Sequence, residues 1–201
     1  MQTCVSRTEM TAPAEPKPAA LEEDGHTGLP LERFAADAHA LESGAFAARR
    51  GRAFLLHNGP LAALNRAVRT QQTLVTEIRH RDRCVDLPFV VFPLFPASSS
   101  APAALTLGRG RSSDLVLGER SVSKLHAVIR LGARGGVTVE DAGSQNGTFV
   151  DDQRIPTNGA SHPRPLVSGC LLRLGEVELT YLEAAELQAL VRALVPELRR
   201  P

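Results

Sequence analysis

The fold that this 201-residue sequence predicts is mainly β, a sandwich with a helical region before it and a single helix after it. Three observations lead there. From about Leu87 short apolar runs are separated by turn residues at the spacing of an all-β domain. Leu172 to Leu174 and Val177 to Tyr181 alternate polar with apolar positions across Gly175-Glu176, the pattern of a hairpin with one face buried. The segments on either side carry apolar residues every three or four positions instead, which is helical spacing.

Taken in order, residues 1–30 are rich in Ala, Pro, Glu, Thr and Gly, with Pro13, Pro16 and Pro18 close together, and read as a disordered tail with too little apolar surface to offset ordering. Residues 31–86 read as a helical N-terminal region. Its first helix is expected from Leu31, Phe34, Ala38 and Leu41, ending near Gly44. A second is expected to open at Gly59-Pro60 and run through Leu61, Leu64, Val68, Val75 and Ile78, although Thr73 to Thr76 would equally suit a strand. These helices either pack on the domain that follows or form an arm that docks a partner.

The sandwich is expected over residues 87–182. Its strands are predicted at Phe89 to Phe92, Leu105 to Leu107, Leu115 to Leu117, Ala127 to Leu131, Val137 to Val139, Thr148 to Val150 and the hairpin already named. Residues 183–201 then return to helical spacing through Leu187, Leu190, Val191, Leu194 and Leu198, with Pro196 disturbing the last turn. This helix is expected to cap one end of the sandwich.

Composition narrows the function. With 23 basic and 22 acidic residues the formal charge is +1, so no overall field draws the molecule to nucleic acid or an anionic membrane, and any bound anion must be met by local groups. The short basic run Arg79, His80, Arg81 and Arg83 is interrupted by Asp82 and has no interleaved aromatics, so a solvated turn is expected there. No apolar stretch suits a membrane span and the first thirty residues do not resemble a secretory signal, which points to the cytoplasm. Cys4, Cys84 and Cys170 are dispersed and odd in number, as expected of free thiols rather than a disulfide framework or a metal site. Only Lys17 and Lys124 among the basic residues are lysine, a bias suggestive of a GC-rich bacterial coding sequence.

The chemistry-bearing residues fall in three loops between predicted strands: Gly108 to Asp114, Ser121 to Ala127 and Asp141 to Thr148. If these loops meet at one end of the sandwich, Arg109, Lys124, Ser123 and Asn146 surround one small space with charge, a hydroxyl and an amide, an arrangement suited to an anion. Each residue also has a structural reading, Asn146-Gly147 being the strongest short hairpin-turn signal.

In this order and spacing, Gly108-Arg109, Ser123-Lys124-Leu125-His126, Asp141 with Gly143 to Thr148, Leu166 to Gly169 and Leu174-Gly175 resemble the forkhead-associated (FHA) domain, a phosphothreonine-recognition module, over about Leu87 to Leu182. The resemblance implies a sandwich of about eleven strands whose end loops hold a phosphopeptide without performing chemistry on it. It makes Arg109 and Ser123 the phosphate-binding residues, Lys124 a second basic contact and Asn146 the residue that holds the peptide backbone. Gln145 stands where the family often has threonine, so the pocket differs there. Gly108, His126, Asp141 and Gly147 are implied as loop-shaping residues, His126 being buried away from ligand.

Enzymatic readings fare worse. Ser123, His126 and Asp141 are the residue types of acyl transfer, but no GxSxG elbow is present, and neither a GxxxxGK[ST] loop nor a complete dinucleotide loop occurs. No cofactor and no metal is expected. The expected partners are phosphothreonine-containing proteins, either substrates of a Ser/Thr kinase or a kinase itself, with no nucleic acid and no membrane. The competing expectation is a phosphate-independent scaffold of the same fold that binds through its helical N-terminal region.

Overall fold

Alternating runs and helical runs separate into layers in the structure, a computed structural model that describes residues 28–57, 89–94, 103–132, 135–157 and 163–195. The strands are β1 (Leu29–Pro30), β2 (Ala53–His57), β3 (Val90–Pro93), β4 (Ala103–Gly108), β5 (Leu115–Val116), β6 (Ala127–Leu131), β7 (Val137–Asp141), β8 (Thr148–Val150), β9 (Gln153–Arg154), β10 (Arg164–Leu166), β11 (Leu171–Leu174) and β12 (Val177–Glu183). The helices are α1 (Ala35–Ala40), α2 (Ser43–Arg50) and α3 (Ala184–Leu194), with a 3-10 turn at Leu31–Phe34 leading into α1.

Among the described residues twelve strands make two sheets. One has seven strands in the order β1-β3-β2-β12-β11-β8-β9; the other has five in the order β10-β7-β6-β4-β5. Pairing is antiparallel except between β4 and β5, where Leu107 lies opposite Leu115. The expected mainly β sandwich, the helical N-terminal region and the C-terminal helix are all present.

Leu55, Leu107, Ile129, Val139, Leu172, Leu174 and Leu179, all fully buried, fill the space between the sheets. A second apolar layer lies on the far side of the seven-stranded sheet, where Phe54, Leu56, Val91 and Leu182 meet Leu31, Phe34, Ala38, Phe46, Leu187 and Val191 of the helices. The molecule is thus sheet, sheet and helices in three layers. Phe34 and Phe54 meet edge to face, with ring centroids 6.0 Å apart.

Three expectations change. Ala53–His57 is a strand near the middle of the larger sheet, not part of a helical region, and β1 also joins that sheet, so the sandwich is not confined to residues 87–182. The physical reason is burial on both faces: four of the five residues of β2 are buried, which removes the alternation that marks a half-exposed strand. Gly44 lies inside α2 rather than ending a helix; the chain breaks at Leu41, where the backbone is extended. Finally, α3 does not cap an end of the sandwich but lies across the outer face of the larger sheet, against α1 and α2.

The contact between α3 and α1 is polar as well as apolar. Gln188, almost fully buried, donates from Nε2 to the carbonyls of Ala38 (3.1 Å) and Leu41 (2.7 Å) and accepts from Ser43 Oγ (2.9 Å). Arg192 donates to the same two carbonyls, which closes the otherwise unpaired end of α1. Asp37 is buried between Arg49 and Arg50 and joins α2 to α1. The second predicted helix, the basic run at Arg79 to Arg83, most of the predicted tail, Cys4 and Cys84 lie outside the described residues. Cys170 is a buried free thiol whose pKa burial pushes up to about 11.

Candidate functional site

Strand polarity brings the three loops to one end of the sandwich. β4 and β7 run toward that end and β6 and β8 leave it, as does β12 after the tight turn that follows β11. The loops are joined there by backbone hydrogen bonds. Arg109 N donates to Ser123 O (2.8 Å), Gly110 N to Lys124 O (2.9 Å), Ala142 N to His126 O (2.9 Å) and Gly175 N to Gly147 O (3.1 Å).

Ser121 to Ser123 is the hub of this network. Arg109 Nε donates to Val122 O at 3.2 Å, which fixes the side chain beside the loop and leaves both terminal guanidinium nitrogens as donors. Ser123 Oγ accepts from Gln145 N at 3.1 Å, so its own hydrogen remains available. Asn146 Nδ2 donates to Ser121 O at 2.7 Å, which directs the amide and leaves its carbonyl oxygen as an acceptor. Glu176 N donates to Ser121 Oγ at 3.1 Å and brings the β11–β12 turn to the same hub. Arg109, Lys124, Gln145 and Asn146 are exposed and Ser123 is half-buried. Neither Arg109 nor Lys124 forms an ion pair among the described residues.

Beneath this surface lie the residues that the sequence marks as loop-shaping. His126 is fully buried; its Nδ1 accepts from Ser123 N (3.0 Å), which leaves Nε2 to carry the proton and donate to Gly147 O (3.2 Å). Burial holds its pKa below the ordinary histidine value, against smaller opposing effects of the Gly147 carbonyl and Asp141, so the ring is neutral near pH 7. Asp141, also buried, accepts four hydrogen bonds: from Gly143 N and Ser144 N on Oδ1 (2.9 Å each), and from Ser144 Oγ (2.5 Å) and Thr148 Oγ1 (2.6 Å) on Oδ2. Burial alone would raise its pKa, but these bonds together hold the carboxyl below its usual value.

This wiring differs from that of a hydrolase. The Ser123 group that reaches His126 is the backbone N–H, not the hydroxyl, and the other ring nitrogen goes to Gly147 rather than Asp141. Among the described residues no group of His, Cys, Asp and Glu is placed to hold a metal ion, and no helix is long and apolar enough to cross a membrane.

Glycines permit the close approach. A Cβ on Gly108 would lie 2.2 Å from Lys124 O, and one on Gly175, whose φ is +62°, would lie 2.5 Å from Ser121 O. Gly147 has φ +83°, and a Cβ there would meet the guanidinium of Arg154. Arg154 is a rim residue that sequence reasoning missed. It belongs to no loop motif, and only the return of β9 alongside β8 brings it to Gly147. The rim also includes His57, at the end of β2. Its pKa is pulled down by burial and partly restored by Glu119 in the loop after β5.

The segment that carries these loops is similar to known proteins. The FHA domain family model matches residues 105–175. Over 73 residues the chain is 34% identical to Fork head protein homolog 1 of Saccharomyces cerevisiae, a match that takes in 36% of this chain and 15% of that protein. Among solved structures, an FHA domain described for phosphothreonine-dependent interactions is 18% identical with a TM-score of 0.42, over 65% of this chain and 95% of that one. The FHA domain of a Chlamydia trachomatis protein is 22% identical with a TM-score of 0.43, over 65% of this chain and 96% of that one. Mycobacterium tuberculosis EmbR, in complex with a low-affinity phosphopeptide, is 30% identical with a TM-score of 0.35, over 39% of this chain and 19% of that one. The family match spans the loops from Arg109 to Asn146, and those loops are gathered on one sandwich end, so residues 105–175 are similar to the forkhead-associated domain family.

Proposed function

We propose that this end of the sandwich binds phosphothreonine peptides and performs no chemistry on them. Arg109, Ser123 and Lys124 contact the phosphate, Gln145 lies at its edge and Asn146 holds the peptide backbone. The observation that carries this reading is the shared hub at Ser121 to Ser123, to which Arg109, Gln145 and Asn146 are each hydrogen-bonded. A phosphothreonine brings about −1.5 to −2 charges and three strong acceptor oxygens, which unpaired cations and an oriented hydroxyl suit. Charge-assisted hydrogen bonds contribute about 1.5–3 kcal/mol each, so three of them, less an association cost of about 4 kcal/mol or more, leave at most about 5 kcal/mol, and contacts with the flanking peptide must supply the rest of a micromolar affinity. The partners in this reading are cytoplasmic proteins phosphorylated by a Ser/Thr kinase, or such a kinase itself. The described helices favour no phosphate-independent alternative, because their apolar residues are buried against the larger sheet.

Titration with a phosphothreonine peptide and its unphosphorylated copy tests the proposal. The wild-type protein binds only the phosphorylated form, and Arg109→Ala weakens that binding by about tenfold or more, the equivalent of one charge-assisted bond. Its melting temperature changes little, since Arg109 is exposed. Equal affinity for both peptides would refute the reading.

A further inference from the structure

Arg154 lies in β9, the edge strand next to β8, and its guanidinium rests against Gly147. A Cβ built on that glycine would stand 2.8 Å from Arg154 Nε and 3.2 Å from both Cζ and Nη2. Gly147 directly follows Asn146, so a fixed positive charge borders the residue assigned above to the peptide backbone. The register explains why the charge stays there. Phe149 is paired with Arg154 on one side and Arg173 on the other, which puts the three side chains on one face of the sheet. The two guanidinium groups lie 6.0 Å and 3.7 Å from the Phe149 ring centre.

The two arginines are not equivalent. Arg173 donates to Gly175 O (3.1 Å) and lines a shallow cavity of about 430 Å³ together with the acidic residues Asp152, Glu176 and Glu178. Arg154 is exposed and forms no ion pair among the described residues. Held by a ring and a glycine backbone, it has less side-chain freedom to lose on pairing with an anion than a free surface arginine has.

We propose that Arg154 is a specificity-determining residue that favours phosphothreonine peptides with Asp or Glu close to the phosphothreonine on the side passing Asn146 and Gly147. The proposal rests on the phosphothreonine reading above. The test uses the full chain and phosphothreonine peptides that differ only in carrying Glu, Ala or Lys at single positions on either side, each with an unphosphorylated copy. Wild type and Arg154→Ala are compared by titration at low and high salt, and melting temperatures establish that both are folded.

At low salt the wild-type protein prefers Glu over Ala at one or two positions by about threefold to fivefold, the scale of an exposed ion pair. That ratio falls toward one in Arg154→Ala and at high salt. An undiminished Glu-to-Ala ratio in the variant overturns the proposal, as does a wild-type protein that binds phosphopeptides with no acidic preference. If no phosphopeptide binds better than its unphosphorylated copy, the phosphothreonine reading itself has failed and the role of Arg154 falls with it.

Discussion

Asp141 illustrates how much of a loop's shape can depend on one buried side chain. Its four hydrogen bonds fix Gly143, Ser144 and Thr148, the frame on which Gln145 and Asn146 are presented. Asp141→Asn replaces one acceptor oxygen by a donor that faces groups already donating, so a loss of about 2 kcal/mol of stability is expected from chemical denaturation at pH 7. Because the folded pKa lies below the ordinary value, the unfolded chain takes up the proton first as pH falls. The carboxylate's contribution is therefore complete above about pH 4 and is lost as pH drops through the folded pKa. The gap between wild type and variant should be constant near pH 6 and narrow in acid, and a gap independent of pH would argue against a charged Asp141. The Gly108-Arg109 and Ser123 to His126 motifs were legible in the sequence because each uses residue types with few substitutes; Arg154 carries no such mark.

At the scale of elements, the β11–β12 turn links the hairpin to the loops at the sandwich end. Gly175 adopts φ +62° and its Cα faces Ser121 O so closely that a methyl group would stand 2.5 Å from it. Gly175→Ala should thus destabilise the protein by at least about 1 kcal/mol through the backbone conformation alone. It should also weaken phosphopeptide binding by displacing Ser121, to which Asn146 and Glu176 are bonded. Denaturation curves and peptide titration of the one variant check both outcomes; wild-type affinity in a destabilised protein would separate the turn from the site. This hairpin was readable in advance because Leu172, Leu174, Val177 and Leu179 turn one face to the core while Arg173 and Glu178 stay partly exposed. The same logic hid β2, whose residues are covered by the second sheet on one face and by helices on the other.

For the whole molecule, the helical layer covers the outer face of the larger sheet while the three loops lie at one end of the sandwich, so stability and the proposed binding should be separable. Leu187 is fully buried between α3 and the sheet, and Leu187→Ala should lower stability by about 2–5 kcal/mol. Phosphopeptide affinity, measured by titration well below the melting temperature, should stay within error of wild type; a large loss would mean that the layers are coupled. The sequence by itself determined the sandwich, most of its strands and the three loop motifs, because alternation, turn residues and rare polar combinations are local properties of the chain. Only the tertiary structure decided that Ala53–His57 is a central strand, that α3 covers a sheet face and that Arg154 stands beside Gly147. Each of these depends on which distant segment covers a residue, and burial on two faces or across a sheet leaves no periodic trace in the chain that forms it.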